Sequence, residues 1–413
     1  MKLRNNFLTI YYLILYFTLL IGFFWGEDFA RGFRYDYQIH QNLIKDLFDE
    51  SIAYGLLNYD ENYVPHSPIF IIYIVIFKKI FVYEDIFRFF NLHICLLIPI
   101  LSGLCLKYKF NLKKNDPIYL LPSIFFFSPY FRAGSIWTDD NILALIFFSI
   151  SLFYFIKYEK NKSKTKYIIF NTFFLAVSCY LRPIYCIFSI YFFINYFIDL
   201  KFQKKFILYI LTNLFLASPA IYYVFILGVD KWIFTYLFRE NIITPISLAS
   251  TLICFYLFPF LIKDILKKSN EFFNFKNLFI FGIIFIILLF FFDYERNYSG
   301  GIFYRLSDII FDNNIVFFII SSLSLLILFV IFGKKTSFKN TDILIIIILF
   351  LLEIDGVVYH ETYDPLIYIL VLSLFKSEII KKFILKLNLS KLILLFSYLI
   401  LFYTSSVFRT FIL

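Results

Sequence analysis

Small and sulfur-containing residues are scarce in this sequence: its 413 positions hold only 12 glycines, five cysteines and one methionine. The cysteines all lie within or beside apolar runs, and they have neither the framework of a disulfide-rich domain nor the spacing of a zinc site. No glycine-rich nucleotide-binding loop is found. Helix packing through small residues, which many membrane transporters use, has little support from so few glycines.

Apolar residues are correspondingly abundant. They make up 61% of the chain, aromatic residues alone make up 23%, and the mean hydropathy is +0.80. This composition excludes an ordinary soluble domain and predicts an all-α polytopic membrane protein. The net charge of +10 does not indicate a nucleic-acid partner, because the basic residues lie in short loops between apolar runs, as the positive-inside rule predicts.

Thirteen apolar runs qualify as membrane spans, if helices buried inside the protein are allowed to be shorter than about 20 residues. They are 7-25, 86-106, 117-131, 139-157, 167-181, 183-199, 206-227, 246-262, 277-293, 315-333, 342-354, 365-375 and 391-409. One further run, 67-82, is not counted, because it is short, has Pro68 at its start and contains Lys78 and Lys79. We expect it to form a helix on the outer membrane surface.

The lysines set the orientation of these spans. With 67-82 excluded, six lysine-rich loops fall on one side, which the positive-inside rule identifies as the cytoplasmic side. The N-terminus then lies in the cytoplasm, and the first span is an uncleaved helix, since its apolar run is too long for a signal peptide. The longest loop, 26-85, lies on the outer side.

Arginine is distributed differently from lysine. Eight of the ten arginines fall on the outer side or at its interface: Arg31, Arg34, Arg88, Arg132, Arg182, Arg239, Arg296 and Arg305. A guanidinium group grips phosphate at two points and stays charged, so these residues indicate phosphate recognition above the membrane. Ordinary ion pairing with outer acidic residues is the alternative for each of them.

The first outer loop carries the main catalytic candidates. Its segment 26-66 has eight acidic and three basic residues, and apolar residues recur at helical spacing from Asp36 to Phe48, which predicts an amphipathic surface helix. On that helix Asp36 and His40 share a face, so the carboxylate could act as a general base beside the imidazole. A solvated helix start is the alternative. Asp28, shortly after the first span, is the second candidate base, or an anchor at the interface.

Two further groups follow on the outer side of the first half. Asp139 and Asp140 open a span, where a carboxylate either serves a site or caps the helix, and Arg132 lies seven residues before them. Arg182 lies in a hairpin between spans that is too short for a solvent loop. A charge at that depth is costly unless it is paired.

The second half contributes two groups to the same side. The stretch 293-308 contains Arg296, Arg305 and a Gly300-Gly301 pair, which marks a turn or a backbone that lies close to a ligand. A later stretch, 355-365, adds His360. With the first outer loop, Asp139–Asp140 and Arg182, these two stretches make five groups of candidate residues. The topology was derived from the lysines alone, yet it places all five groups on the outer side, and this agreement favours a shared site.

Five short motifs within the first 200 residues carry a family resemblance. They are Asp36-Tyr37-Gln38-Ile39-His40, PHSPIFIIY (65-73), RFFN (88-91), WTDDN (137-141) and LRP (181-183). With its long outer loop, surface helices and later acidic pair, the chain resembles a GT-C type glycosyltransferase, and more narrowly the dolichyl-phosphate-glucose α-1,2-glucosyltransferase family and its bacterial relatives. Tyr37 stands where the family's Asp-Glu-x-x-His motif has glutamate, and Pro183 stands where the family has glutamine. The eukaryotic substrate is therefore not carried over.

The resemblance implies an inverting transferase that moves a sugar from a polyprenyl-phosphate donor to a glycan or lipid-linked acceptor on the periplasmic or lumenal face. Asp36 would take the acceptor's proton beside His40, with Asp28 as the second choice. The donor would be bound by Arg182, Arg132, Asp139, Asp140, Arg305, Arg296 and His360. No cofactor is implied with certainty, and a divalent metal is left open.

The same resemblance divides the chain into a GT-C catalytic module, residues 1-200 with the first outer loop at 26-85, and a C-terminal transmembrane module, residues 201-413. It implies residence in a bacterial inner membrane, or in the ER membrane of a eukaryote. The expected partners are membrane lipids, the lipid-linked sugar donor and the acceptor, without nucleic acid.

A flippase or transporter of lipid-linked glycans, or a non-catalytic subunit of polysaccharide assembly, is the alternative function. Transporters favour closely packed small residues and helices that are broken at mid-membrane. Here the ionisable residues cluster at span ends and no internal repeat is found, which favours the enzyme.

The orientation is testable by cysteine labelling. We expect a cysteine placed at Asn62 to react with a membrane-impermeant thiol reagent in intact cells, because the 26-85 loop lies outside. The unsubstituted chain, with its five native cysteines, is the control. Labelling of Asn62→Cys only after lysis would reverse the orientation of every loop.

Overall fold

The computed structural model describes residues 6–48, 51–59, 67–81, 83–223, 241–267, 274–294, 299–333, 341–353 and 357–412. Every regular element within these ranges is a helix, which confirms the predicted all-α class. The described residues form two compact units. The first comprises those within 1–234 and 396–413, and the second comprises those within 235–395. The division into a catalytic module at 1-200 and a C-terminal module at 201-413 stays a prediction.

Eleven described α-helices and two 3₁₀ segments build the first unit ahead of its C-terminal part. The helices are α1 (Phe7–Trp25), α2 (Phe33–Phe48), α3 (Ile52–Leu57), α4 (Pro68–Ile80), α5 (Glu84–Cys95), α6 (Leu97–Phe110), α7 (Pro129–Trp137), α8 (Asp140–Lys160), α9 (Thr165–Leu181), α10 (Phe188–Leu200) and α11 (Lys204–Ile221). The 3₁₀ segments are Pro117–Phe127 and Pro183–Ile187, and Pro122 lies inside the first of them. Proline lacks the amide hydrogen that an α-helix interior requires, which disfavours a continuous α-helix there.

The second unit contains eight further described helices. They are α12 (Ile243–Lys267), α13 (Phe275–Phe291), α14 (Gly301–Phe311), α15 (Ile315–Phe332), α16 (Thr341–Leu351), α17 (His360–Tyr363), α18 (Leu366–Ser373) and α19 (Glu378–Leu385). The last helix, α20 (Leu389–Ile412), begins in the second unit, and its residues from Phe396 onward belong to the first. The long α12 is central to the second unit, since it packs against α14, α15, α16 and α19.

Eight described helices are long and apolar enough to cross a membrane. They are Phe7–Trp25, Glu84–Phe110, Asp140–Lys160, Pro183–Leu200, Lys204–Ile221, Ile243–Lys267, Ile315–Phe332 and Leu389–Thr410, and each coincides with a predicted span. The second of these runs through α5 and α6, and the fourth runs through the 3₁₀ segment Pro183–Ile187 and α10. Four more predicted spans coincide with shorter apolar helices, at Pro117–Phe127, Thr165–Leu181, Phe275–Phe291 and Thr341–Leu351. The remaining one, 365-375, coincides with the short helix α18. The helices agree with a multi-pass membrane protein, whereas the count of thirteen spans is not confirmed.

The helix predicted in the first outer loop is present as α2. Its buried residues recur every three or four positions along one face: Phe33, Tyr37, His40, Ile44 and Phe48. The helix packs against α3, α4 and α7, so this face is covered by protein. The run 67-82, which was excluded from the spans, also forms a helix, α4, and Ser67 caps its N-terminus.

A buried polar network holds α8, α9 and α10 together. The Asn171 side chain donates to the Ser151 carbonyl oxygen at 3.0 Å and accepts from the Tyr196 hydroxyl at 3.0 Å. The Ser151 hydroxyl donates in return to the Asn171 carbonyl oxygen at 2.9 Å. All three side chains are buried, so these hydrogen bonds replace contacts with water that the groups cannot make.

We expect Asn171→Leu to lower the free energy of unfolding by about 1–3 kcal/mol, because it leaves buried polar atoms of Ser151 and Tyr196 without this partner. Thermal unfolding in detergent measures the change. Asn195→Leu on α10 is the control, since Asn195 bonds to Tyr191 O within its own helix. A melting temperature equal to that of the unsubstituted chain would show that the network adds no stability.

Candidate functional site

A buried ion pair ties the loop after α1 to α7. Arg132 donates through Nε to Glu27 Oε1 at 2.7 Å and through Nη2 to Glu27 Oε2 at 2.5 Å, and both side chains are almost fully buried. Thr18 O on α1 accepts from Arg132 at 3.0 Å, and the Tyr403 hydroxyl on α20 donates to Glu27 Oε1 at 3.3 Å. Burial lowers the pKa of Arg132, but the hydrogen bonds and charge of Glu27 outweigh burial and leave that pKa above its usual value.

Trp137, the last residue of α7, connects this pair to two further arginines. Its indole N–H donates to the Glu27 carbonyl oxygen at 2.9 Å. The guanidinium carbon of Arg88 lies 3.7 Å from the centroid of the indole ring, and that of Arg34 lies 5.4 Å from it. Arg88 also donates to Asp85 at 3.2 Å. Cation–π contacts therefore join α2, α5 and α7 at one indole.

Asp28 lies half-buried in the loop between α1 and α2. Its Oδ2 accepts the backbone N–H of Arg34 at 3.2 Å, and its Oδ1 has no hydrogen-bond partner among the described residues. Burial raises the pKa of the Asp28 carboxyl above its usual value, although nearby backbone N–H groups lower it in part. A carboxylate with a raised pKa and a spare acceptor oxygen is suited to taking a proton.

The same loop lines a cavity of about 650 Å³. Its wall consists of Trp25, Gly26, Glu27, Asp28, Phe29, Arg31, Gly32, Arg34 and Thr410. The cavity lies within the first unit, where α1 ends and α20 nears its end. Arg31 donates to the Arg409 carbonyl oxygen, and the Arg409 side chain donates to the Ala30 carbonyl oxygen at 3.0 Å, so α20 is fastened to the loop.

Asp36 and His40, the predicted base and its neighbour, lie one turn apart on α2. Asp36 is half-buried in the first turn. His40 is buried, and its ring lies edge-on to Phe70 of α4 with the ring centroids 5.1 Å apart. Neither residue is part of the described cavity wall, and their catalytic roles stay predictions.

Asp139 and Asp140 have separate roles at the start of α8. Asp139 is the N-cap, and its carboxylate accepts a backbone N–H of the first turn at 3.0 Å. Asp140 is buried and accepts from Arg182 Nη1 at 3.0 Å. Beside it, the Tyr185 hydroxyl donates to Asn141 Oδ1 at 2.5 Å. The cap considered for this position is present, and the charge of Arg182 is paired, as a charge at a span end requires.

The second unit contains another group of predicted residues. Gly300, the N-cap of α14, and Gly301, its first residue, have φ angles of 90° and 87°, which only glycine adopts readily. The Nδ1 atom of His360 lies 3.0 Å from the Tyr256 hydroxyl. A Cβ atom on Gly301 would lie 3.8 Å from His360 Nε2, so the glycine turn and this histidine are close neighbours.

The predicted donor-binding set is divided between the two units. Four members, Arg132, Arg182, Asp139 and Asp140, belong to the first unit, whereas Arg305 and His360 belong to the second. Arg305 Nε donates to the Ser299 carbonyl oxygen at 3.4 Å. Arg296 lies outside the described residues. A shared donor-binding role for the whole set stays a prediction.

Two residues of this region were not selected from the sequence: Glu27 as an ion-pair partner, and Trp137 as the ring that contacts two arginines. Arg34 was selected as one of the outer arginines, but its contact with Trp137 was not predicted. Trp137 could have been identified from the sequence, because it is one of only three tryptophans and lies in the WTDDN motif. No local pattern pairs Glu27 with a residue 105 positions away.

No protein-family model, curated protein or solved structure matches the chain at a significant level. The resemblance to GT-C enzymes rests on the short motifs quoted above. Within the part of the chain that the structure describes, no three histidine, cysteine, aspartate or glutamate side chains are grouped so as to hold a metal ion.

The Glu27–Arg132 pair has room because α1 carries a glycine beside it. A Cβ atom at Gly22 would collide with Glu27 Oε2 and lie 2.8 Å from Arg132 Nη2. Close packing leaves no slack for such a methyl group, so the two charged groups would have to move.

We therefore expect Gly22→Ala to destabilise the protein by about 1–3 kcal/mol through overpacking against the ion pair. Gly282→Ala on α13 is the matched control, since nothing lies within 4 Å of a Cβ atom there and alanine favours a helix. Thermal unfolding in detergent compares the two variants. Equal melting temperatures would mean that the ion pair tolerates the added methyl group.

Proposed function

We propose that the chain is an inverting, GT-C type membrane glycosyltransferase, with about thirteen spans, that transfers a sugar from a polyprenyl-phosphate donor to a glycan or lipid-linked acceptor. One observation carries the proposal: Asp28, with an unpartnered carboxylate oxygen, lines a cavity of about 650 Å³ whose wall also contains Arg31 and Arg34. An acid, two permanent cations and adjoining apolar helices fit a substrate that is part lipid, part phosphate and part sugar.

The location of the cavity supports a lipid-linked substrate. Both α1 and α20 are long and apolar enough to span a membrane, and the cavity residues Trp25 and Thr410 lie at or near their ends. Trp25 is 83% exposed, and an exposed tryptophan at a span end is typical of the membrane interface. A substrate with its chain in the bilayer would bring its head group to this level.

Asp28 is the proposed general base. The backbone N–H of Arg34 holds Oδ2. The other oxygen, Oδ1, is buried and has no hydrogen-bond partner among the described residues, and we propose it as the atom that takes the proton of an acceptor hydroxyl. As that proton moves to Oδ1, the hydroxyl oxygen bonds to the anomeric carbon on the face opposite the phosphate. The bond from the anomeric carbon to the phosphate oxygen breaks, and the lipid phosphate leaves with the electron pair. Cations near that oxygen would stabilise its growing charge.

Asp28 is better supported as the base than Asp36, the residue selected by the motif. Asp28 lines the cavity, whereas Asp36 lies in the first turn of α2 and is not part of the described wall. Both carboxylates belong to the same loop-and-helix segment, so substitution at each position gives a matched comparison.

We expect Asp28→Asn to reduce sugar transfer by about 10²–10⁴-fold, because the amide keeps the shape of the side chain but cannot take a proton near neutral pH. Asp36→Asn, in the same membranes and at the same protein level, should cost far less. A thin-layer assay with labelled polyprenyl-phosphate sugars measures transfer. The reverse order of effects would assign the base to Asp36. If neither substitution changes transfer, the enzyme proposal fails and the transporter alternative replaces it.

The pH dependence of transfer provides a second test. A base is active when ionised, so kcat/KM should fall as the pH drops through the pKa of Asp28 in the free enzyme. Because burial raises that pKa, the fall should begin at a higher pH than an ordinary aspartate would give. A profile that stays flat down to the usual aspartate range would contradict the assignment.

A further inference from the structure

Two arginines in the cavity wall are not neutralised by protein carboxylates. Ion pairs in the described part of the chain engage three other arginines: Arg88, Arg132 and Arg182. Arg31 and Arg34 form none there, and both are exposed. Glu27 lies in the same wall, but its charge is already matched by Arg132. Asp28 in the same wall adds one negative charge against the two positive charges of Arg31 and Arg34, so the cavity keeps an excess of positive charge.

Two arginines that the family resemblance assigns to donor binding are in a different state. Arg132 and Arg182 donate to Glu27 and Asp140, which are both buried. To bind a phosphate instead, either guanidinium would have to leave a buried carboxylate unpaired, which is costly. Arg31 and Arg34 can accept an anion without that penalty.

Both cavity arginines are also held in position before any ligand binds. Arg34 lies over the Trp137 ring, at 5.4 Å from its centroid, and Trp137 is itself fixed by its hydrogen bond to Glu27 O. Arg31 donates to the Arg409 carbonyl oxygen on α20. Groups that are ordered in advance lose less conformational entropy when they bind, which raises affinity.

We infer that Arg31 and Arg34 bind the phosphate group of a lipid phosphate in this cavity, and that Trp137 is a positioning residue for Arg34. The inference rests on the proposed function for the lipid character of the ligand. Two guanidinium groups donate to the phosphate oxygens, and the apolar chain extends past Trp25 along α1. During transfer the same cations would face the phosphate oxygen from which the sugar departs.

Binding to the purified full-length protein in detergent tests this site without requiring transfer. The probe is farnesyl phosphate, with farnesol as the analogue that lacks the phosphate and inorganic phosphate as the analogue that lacks the chain. We expect farnesyl phosphate to bind and both analogues to bind far more weakly. Arg31→Ala and Arg34→Ala should each weaken farnesyl phosphate binding by roughly 10- to 100-fold. Lys45→Ala, which removes an exposed charge from the last turn of α2, is the control and should bind normally.

A double-substitution comparison isolates the role of Trp137. Trp137→Leu should weaken farnesyl phosphate binding in the unsubstituted protein and in Arg31→Ala, but add little in Arg34→Ala, because it acts through Arg34. Trp137→Phe keeps a ring beneath Arg34 and should retain most of the affinity. A purely structural Trp137 would give the same loss in all three backgrounds, which would overturn the positioning role.

Farnesyl phosphate affinity that survives both arginine substitutions would overturn the phosphate site. Equal affinity for farnesol would mean that only the chain is recognised, and equal affinity for inorganic phosphate would mean that the ligand is free phosphate; either result overturns a lipid-phosphate site. Arginine-dependent binding without any sugar transfer would keep the site and refute the proposed function. Transfer that needs Asp28 but neither arginine would refute the site and keep the proposed function.

Discussion

The candidate site depends on the buried ion pair between Glu27 and Arg132. Removing two such charges from water costs several kcal/mol for each ion, and only good geometry with further hydrogen bonds offsets that cost. The pair meets this condition through its two-point contact, the Thr18 carbonyl oxygen and the Tyr403 hydroxyl. Because these partners come from α1, α7, α20 and the connecting loop, the pair fixes the start of the segment that carries Asp28.

The arginines of the first unit differ in whether a carboxylate of the protein pairs with them and in how buried that carboxylate is. Arg132 and Arg182 are matched by buried carboxylates, and Arg88 is matched by Asp85, whose side chain is 83% exposed. An exposed partner contributes little energy, so Arg88 is held mainly by its contact with the Trp137 ring and by its buried hydrogen bond to the Ile136 carbonyl oxygen at 3.1 Å. Arg31 and Arg34, by contrast, form no ion pair among the described residues, which distinguishes them from the arginines that have a structural partner.

Much of the fold could be predicted from the sequence, because a long apolar run is a direct signal of a helix that can cross a bilayer. Eight predicted spans coincide with helices of sufficient length. The segment 365-375 differs, since all eight residues of α18 are buried in protein and such a helix needs no bilayer length. Hydropathy measures apolar content and does not distinguish lipid from a protein interior.

The candidate site could be predicted from the sequence only where the interacting residues lie a few positions apart, or where the charge of a single residue requires a partner. The cap at Asp139 and the shared face of Asp36 and His40 follow from positions a few residues apart. The pairing of Arg182 followed from the cost of a lone charge near lipid. The partnership of Glu27 with Arg132 did not, because it depends on how helices far apart in sequence pack.

The hydrogen bonds between α20 and the loop after α1 also determine when the cavity can be completed during synthesis. Residues 26 to 34 are synthesised first, and their partners Tyr403 and Arg409 follow almost 380 residues later. At about 5–20 residues per second, that delay is roughly 20–75 s. Throughout this interval the loop lacks the helix that closes one side of the cavity and completes the hydrogen bonds of Glu27. A nascent chain whose earlier helices are already in the membrane thus has no complete cavity until α20 is added.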